Sequence, residues 1–318
     1  MGAPTPCRFL LILLFGLLIA TIACADKEAV SVESTQVPSP GGLTLTIGDI
    51  SDEPAKKIER FQPLAEYLAA GLRTSGYSRG HVKIASSITE MIQLISSGQV
   101  DIYMDSLYPA VTVAEAADGD LELIRGKGGR YSYSGLIIVQ DSSEIRDIRD
   151  LGESIIAAEE EYSTTGFAIQ TSQLINAGFQ IEPVESPDQS VDDGKIGIWF
   201  SRDEENALFA LTGGTVDAAF FSDQDFDDLP PEIAANLRVI STSAELPRQL
   251  VFMSSRLSDG VRLRVARMLV DLSGTEEGRE LLQFIKADGF AILSDRQREI
   301  VRELAADLPN LVNIGAPR

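Results

Sequence analysis

The sequence predicts an α/β protein of two lobes, each built on a mostly parallel sheet. Three observations carry this expectation. Short apolar segments of period two alternate with longer segments whose apolar residues recur at intervals of three and four. The alternation runs in two blocks and restarts near Ile155. The strand-like segments are too many for one small sheet, and βαβα order favours parallel pairing.

The elements follow in order along the chain. Leu43-Thr-Leu-Thr-Ile47 alternates and predicts a strand. Ile58, Phe61, Leu64 and Leu68 share one face of a helix over about 54–72. Val82–Ile84 is a strand, and Ile88–Ser97 is a helix stopped by Gly98, a good C-cap residue. A strand over Val100–Met104, a helix over 108–117 and strands over 121–124 and 134–140 complete the first block. The second block has a strand over Ile155–Ala158, a helix over 163–177 closed by Gly178, a helix over 203–211 and a strand over 216–221. Strands over 237–240 and 250–254 follow, then three helices over about 260–272, 276–286 and 295–308. The strands near 134–140 and 250–254 are expected to cross between lobes. The expected division is 43–133 with 250–318 as lobe 1, and 134–249 as lobe 2.

The first residues read differently. Arg8 precedes an unbroken apolar run from Phe9 to Ile22, which ends in Thr21-Ile22-Ala23-Cys24. A basic start, a short apolar middle and a small residue at the cut have the layout of a secretory signal. The run is shorter than the ~20 residues of a comfortable membrane span. Cys24 after Ala23 resembles a bacterial lipobox, with Thr21 in place of the usual Leu or Val. That resemblance implies a signal peptide over 1–23, a lipid on Cys24 and a place on the extracytoplasmic face of the cell membrane, or in the periplasm of a Gram-negative source. The alternative is a plain signal peptide with a chance cysteine. Residues 24–42 lack helical period, end in Pro38-Ser-Pro40-Gly41-Gly42, and read as a tether.

Composition narrows the function. The formal net charge is −21, which repels nucleic acid and anionic lipid at long range. Salt screens that field beyond a Debye length of about 8 Å, so a local anion site with close donors is compatible with it. Cys7 lies in the signal, so Cys24 has no partner for an intramolecular disulfide. With His81 the only histidine, a Ser-His-Asp triad would have to use it. There is no Cys/His metal spacing, and Gly126-Lys-Gly-Gly129 lacks nucleotide-loop spacing. No cofactor or metal is expected. Carboxylate-only hydrolysis stays open, though nothing selects a pair of acids.

The segment with the most chemical content is Ile155-Ile-Ala-Ala-Glu159-Glu160-Glu161-Tyr162-Ser163-Thr164-Thr165-Gly166. A strand runs through a short loop into a helix that opens on hydroxyl residues. Unpaired N–H groups and the helix dipole make such an end an anion site, and Gly166 allows close approach. The plainer reading is an ordinary N-cap.

Five stretches together resemble the phosphonate- and phosphite-type solute-binding proteins of ABC importers, a branch of the type II periplasmic binding fold. They are Gly98-Gln-Val-Asp101-Ile-Tyr-Met, Tyr133-Ser-Gly-Leu-Ile-Ile-Val139, Ile148-Arg-Asp-Leu151-Gly152, Ser163-Thr-Thr-Gly166 and Ala210-Leu-Thr-Gly-Gly-Thr-Val216-Asp217-Ala-Ala. The resemblance covers about 43–305. It implies two lobes joined by a two-segment hinge, with a cleft that closes on an oxyanion: phosphonate, phosphite or phosphate. It also implies an ABC permease as partner, and a monomer. Carried over by residue, it implies ligand contacts from Ser163, Thr164, Thr165 and Gly166, and from Tyr133. Removing the Ser163 and Thr164 hydroxyls is then expected to cost affinity and little stability.

The chain departs from the family pattern in one direction. Tyr103-Met-Asp105-Ser106 and Ser201-Arg202-Asp203-Glu204 stand where the family often has other residues, and Glu159–Glu161 make the loop before the turn acidic. Asp105, Glu160, Glu161, Asp203, Glu204 and Asp217 are therefore candidate cleft acids, with Tyr162 and Arg202 as further candidate cleft residues. Carboxylates beside an anion site suit a zwitterion such as an aminophosphonate, whose ammonium would meet them, while Arg202 offers the anion a guanidinium. With 48 Asp and Glu in the chain, acidic clusters are also expected as solvated surface. Asp101 and Asp217, each in Gly-x-Val-Asp, are equally suited to capping a neighbouring loop. His81 is expected at the surface and Trp199 in the core. A ligand-sensing lipoprotein, or a receptor for a cationic ligand, are the alternatives to transport of an oxyanion.

Overall fold

The computed structural model describes residues 42–315. The expected signal peptide, Cys24 and all of the tether but Gly42 lie outside the described residues.

The chain begins β1 (Leu43–Ile50), α1 (Pro54–Gly71), β2 (Tyr77–Ala85), α2 (Ile88–Ser96), β3 (Ile102–Ser106), α3 (Leu107–Ala116) and β4 (Gly119–Gly126). It continues through β5 (Ser132–Tyr133), β6 (Gly135–Gln140), β7 (Ile155–Ala158), a π-helical turn over Thr164–Ala168, α4 (Ile169–Asn176), β8 (Gln180–Val184) and β9 (Lys195–Phe200). Next come α5 (Glu204–Thr212), β10 (Ala218–Ser222), α6 (Asp223–Asp227), α7 (Pro231–Ala234), β11 (Leu237–Thr242) and β12 (Leu246–Pro247). The described chain closes with β13 (Gln249–Ser254), α8 (Asp259–Val270), α9 (Glu276–Phe284), β14 (Gly289–Ile292) and α10 (Asp295–Gly315).

Two six-stranded sheets result, in the orders β14-β4-β13-β3-β1-β2 and β11-β6-β10-β7-β9-β8. Each is parallel at one end and antiparallel at the other. β2, β1 and β3 pair in parallel, whereas β13, β4 and β14 join antiparallel. In the second sheet β8, β9, β7 and β10 are parallel, and β6 and β11 are antiparallel. The parallel ends follow from βαβ crossovers, the antiparallel ends from the strands where the chain enters and leaves each lobe.

The segments expected as crossings lie wholly within one sheet each: β6 in the second and β13 in the first. The chain instead passes between sheets at a two-stranded ladder just before them, in which Leu246 faces Tyr133 and Pro247 faces Ser132. The long apolar strands looked like crossings because both their faces are buried. The ladder is too short to leave a periodic signal.

The two edge strands of opposite ends, β8 and β14, were not visible as strands. β8 carries Pro183, which a ladder tolerates at an edge, and β14 leaves Ile292 68% exposed. The helix expected over 163–177 forms in two pieces, π then α, and stops before Gly178, whose φ of +97° suits the reversal there. Trp199 is half-buried against the second sheet's core, and His81 is exposed on β2.

α10 packs on α3 of the first lobe and on α4 and β8 of the second. Its Leu304 and Leu311 share one apolar cluster with Leu107, Tyr108, Phe167 and Ile198. Among the described residues no helix is long and apolar enough to cross a membrane.

Candidate functional site

Loops at the carboxyl ends of β3, β7, β9 and β10 meet the mouth of the β5–β12 ladder. Ligands of open α/β sheets bind at that edge. There they enclose a cavity of about 250 Å³. β3 delivers Asp105 and Ser106; the loop after β7 delivers Glu159, Glu160 and Tyr162, then Ser163, Thr165 and Gly166. Glu204 enters from the start of α5, and Ser222 and Asp225 from the end of β10. Lys57, Lys127 and Arg248 add three cations. A wider depression of about 890 Å³ around α9 borders this cavity at Lys127, and another of about 710 Å³ lies around Phe209 of α5 with no lining residue in common with it.

The turn at Ser163 is built as a cap. Ser163 Oγ accepts the Gly166 N–H at 3.0 Å, and the Ala168 N–H donates to the Ser163 carbonyl. The first N–H groups of a helix have no intrahelical acceptor, and of the residues at this start Ser163, Thr165 and Gly166 line the cavity. π-turns of this kind recur at functional sites because they re-aim the first residues of a helix. Ser163 Oγ in turn donates to Glu159 Oε2 at 2.6 Å. A Cβ on Gly166 would come within 2.6 Å of that same oxygen, so only glycine admits the carboxyl over the helix start.

Burial, with the nearby Glu204 carboxylate, pushes the Glu159 carboxyl up to about 8 against the Ser163 hydrogen bond. The Glu204 carboxyl is raised by burial and by Asp225, and Glu160 by burial. Glu159 therefore keeps its proton near neutral pH, and an incoming cation would displace it.

Arg248 lines the same cavity. It is 8% exposed, and its guanidinium lies 4.4 Å over the Tyr133 ring. Among the described residues it has no carboxylate within ion-pair distance and no side-chain hydrogen bond. Tyr133 sits beside the Thr164 and Thr165 hydroxyls, and burial lifts its phenol to about 12. The cavity thus has a guanidinium and a phenol at Arg248 and Tyr133, and an acid end at Glu159, Glu204 and Asp225 that Lys127 borders and that reaches over the helix start at Ser163. Among the described residues no group of three His, Cys, Asp or Glu is arranged to hold a metal ion.

A sequence profile described as "ABC transporter, phosphonate, periplasmic substrate-binding protein" matches residues 47–297. The chain belongs to that family. The family is one of extracytoplasmic substrate-binding transport proteins that work with an ABC permease. Solved structures share the fold. XAC2383 from Xanthomonas citri, bound to chloride, superposes with a TM-score of 0.80 at 23% identity, covering 85% of this chain and 99% of that one. Its ATP-bound form gives 0.80 at 21%, covering 86% and 99%. PhnD1 from Prochlorococcus marinus, in complex with methylphosphonate, gives 0.59 at 15%, covering 84% and 98%. A search of curated proteins finds no sequence match.

Eight of the residues singled out from sequence line the cavity: Ser163, Thr165, Gly166, Tyr133, Asp105, Tyr162, Glu160 and Glu204. Thr164 lies behind it, 1% exposed, where its Oγ1 accepts the Tyr108 N–H of α3 at 2.9 Å. That bond ties the two lobes, so its removal costs stability, contrary to expectation. Glu161, Arg202, Asp203 and Asp217 are also absent from the lining. Arg202 is exposed and pairs loosely with Glu161 at 3.5 Å. Asp203 caps α5, accepting the Asn206 N–H at 2.6 Å. Asp217 accepts the Ile155 N–H at 2.9 Å, and Asp101 does the same for Thr46 at 2.8 Å. Short acids at strand and helix starts find backbone donors locally, which fixes them at those caps and out of the cavity lining.

Sequence reasoning passed over Arg248, Lys57, Lys127 and Asp225. Arg248 did leave a trace. It stands in Leu246-Pro-Arg-Gln-Leu-Val251, a charge set between a proline and a fully apolar strand.

Proposed function

We propose that the protein binds a small zwitterion, a phosphonate-like oxyanion carrying an ammonium group, by closing two lobes over it, and delivers it to an ABC permease. The lobes are 43–133 with 250 onward, and 134–249. The observation that carries the reading is the Arg248 guanidinium, buried without a carboxylate partner in the same cavity as the helix start at Ser163. A buried unpaired charge is costly unless something pairs with it. An oxyanion there would take a bidentate guanidinium and the Thr165 amide. The ammonium would lie against Glu159, Glu204 and Asp225. A volume of about 250 Å³ matches roughly eight waters at ~30 Å³ each, the size of a small aminophosphonate. A purely cationic ligand would leave Arg248 unpaired, which sets the zwitterion ahead of it. The anionic ligand parallels the methylphosphonate of PhnD1. The protein works as a monomer, held at the membrane by a lipid on Cys24.

The test is calorimetry with 2-aminoethylphosphonate. Charge-assisted hydrogen bonds contribute about 1.5–3 kcal/mol each. Arg248→Gln, losing a bidentate pair, is expected to weaken binding about 100-fold with an unchanged melting curve. A change below about threefold overturns the anion placement.

A further inference from the structure

Behind the cleft, on the first lobe, lies a second cavity of about 60 Å³. In a chain of net charge −21, its lining is cationic: Lys57, Arg60, Arg125, Lys127 and Lys286. Only two carboxyls oppose them, Asp49 and Asp105. Asp49 is already engaged by Lys57, whose Nζ lies 3.1 Å from both its oxygens. Burial lifts the Asp49 carboxyl to about 6, against the pull of Lys57. Asp105 accepts from the Tyr103 hydroxyl and the Ser106 N–H, both at 2.6 Å.

Arg125 is the centre of the imbalance. It is 5% exposed on β4, and its two terminal nitrogens donate only to neutral oxygens: Gln249 Oε1 at 2.8 Å and the Ile285 carbonyl at 2.5 Å. Its Nε is buried with no acceptor. Among the described residues neither Arg125 nor Arg60 has a carboxylate within ion-pair distance. Of the five cations only Arg125 is buried; Lys57 and Arg60 are half-buried, and Lys127 and Lys286 are exposed. A buried guanidinium without a carboxylate is the one that needs a counter-charge.

Lys57, Asp105, Lys127 and Gln249 line both this cavity and the cleft, so the two are contiguous. About 60 Å³ is the room of roughly two waters at ~30 Å³ each, the size of a carboxylate.

We propose that this cavity is a second anion subsite that receives a carboxylate carried by the same ligand, making the ligand an amino-acid phosphonate. The inference rests on the zwitterion reading above and adds the third charged group to it. Cleft and subsite together then balance: phosphonate at Arg248, ammonium at the acid corner, carboxylate at Arg125 and Arg60.

Two compounds that differ by one carboxylate test it: 2-aminoethylphosphonate and 2-amino-3-phosphonopropionate, titrated calorimetrically into the full chain. The expected result is at least 30-fold tighter binding of the carboxylate-bearing compound. In Arg125→Gln that ratio is expected to fall below about threefold. Arg60→Gln removes a half-buried guanidinium with no partner, so it tests the same fall without risk to folding. A ratio near one in the natural protein, or an undiminished ratio in both variants, overturns the inference while leaving the zwitterion reading intact. Saturable binding of sodium formate with a ratio near one assigns the cavity to a separate ion, and also overturns it. Failure of both phosphonates to bind overturns the underlying reading instead.

Discussion

Glu159→Gln should change how stability depends on pH. In the folded, ligand-free protein the Glu159 carboxyl keeps its proton to about pH 8, against an ordinary 4.5. Between those values the folded state binds more protons than the unfolded state, so stability falls as pH rises through the window. The contribution is fully present below about 4.5 and lost above about 8. Each pH unit of displacement corresponds to ~1.36 kcal/mol, giving a ceiling of about 5 kcal/mol. The side chain is only partly buried and water enters the cleft, so screening reduces this to roughly 2 kcal/mol. At about 2–4 °C per kcal/mol, the variant gains about 5 °C in Tm over the natural protein at pH 9, and little at pH 5. Thermal melts at half-unit steps in constant ionic strength measure it. Parallel curves for the two proteins refute the claim that a buried, proton-holding carboxyl sits over the helix start.

Thr164→Val strands the Tyr108 N–H and should lower stability by about 1–3 kcal/mol in denaturant titration, with an unchanged midpoint refuting the tie between lobes. Asp203→Ala removes a helix cap and should cost about 1 kcal/mol while 2-aminoethylphosphonate affinity stays within twofold; a larger loss of affinity returns Asp203 to the site. Cys24→Ser should move the protein from the membrane fraction to the soluble fraction, and persistent membrane association on fractionation refutes the lipid anchor.

Much of this architecture was legible because it is written in local periodicity. β7 was readable to the residue, since four apolar residues end abruptly at Glu159. The helix start at Ser163 was readable because strand, short loop and hydroxyl run appear in sequence order. The opposite corner of the cavity was not. Arg248 reaches Tyr133 only through the β5–β12 ladder, a contact between segments far apart in the chain. Arg202, Asp203 and Asp217 show the converse. Their residue types fit a ligand and a local backbone donor equally well, and only the fold decides. The π-turn has no signature in composition. It follows from the Glu159 N–H donating to the Gly166 carbonyl at 2.9 Å, a bond between the loop and the helix it precedes.

α10 has a mechanical consequence. A clamshell on two connecting strands can swing widely, but here a long rod leans on both shells at once, through Leu304 and Leu311 beside Tyr108 and Phe167. A rod that leans on both shells beside Phe167 braces them directly behind the helix start at Ser163, so its apolar contacts hold the two walls of the cavity in register.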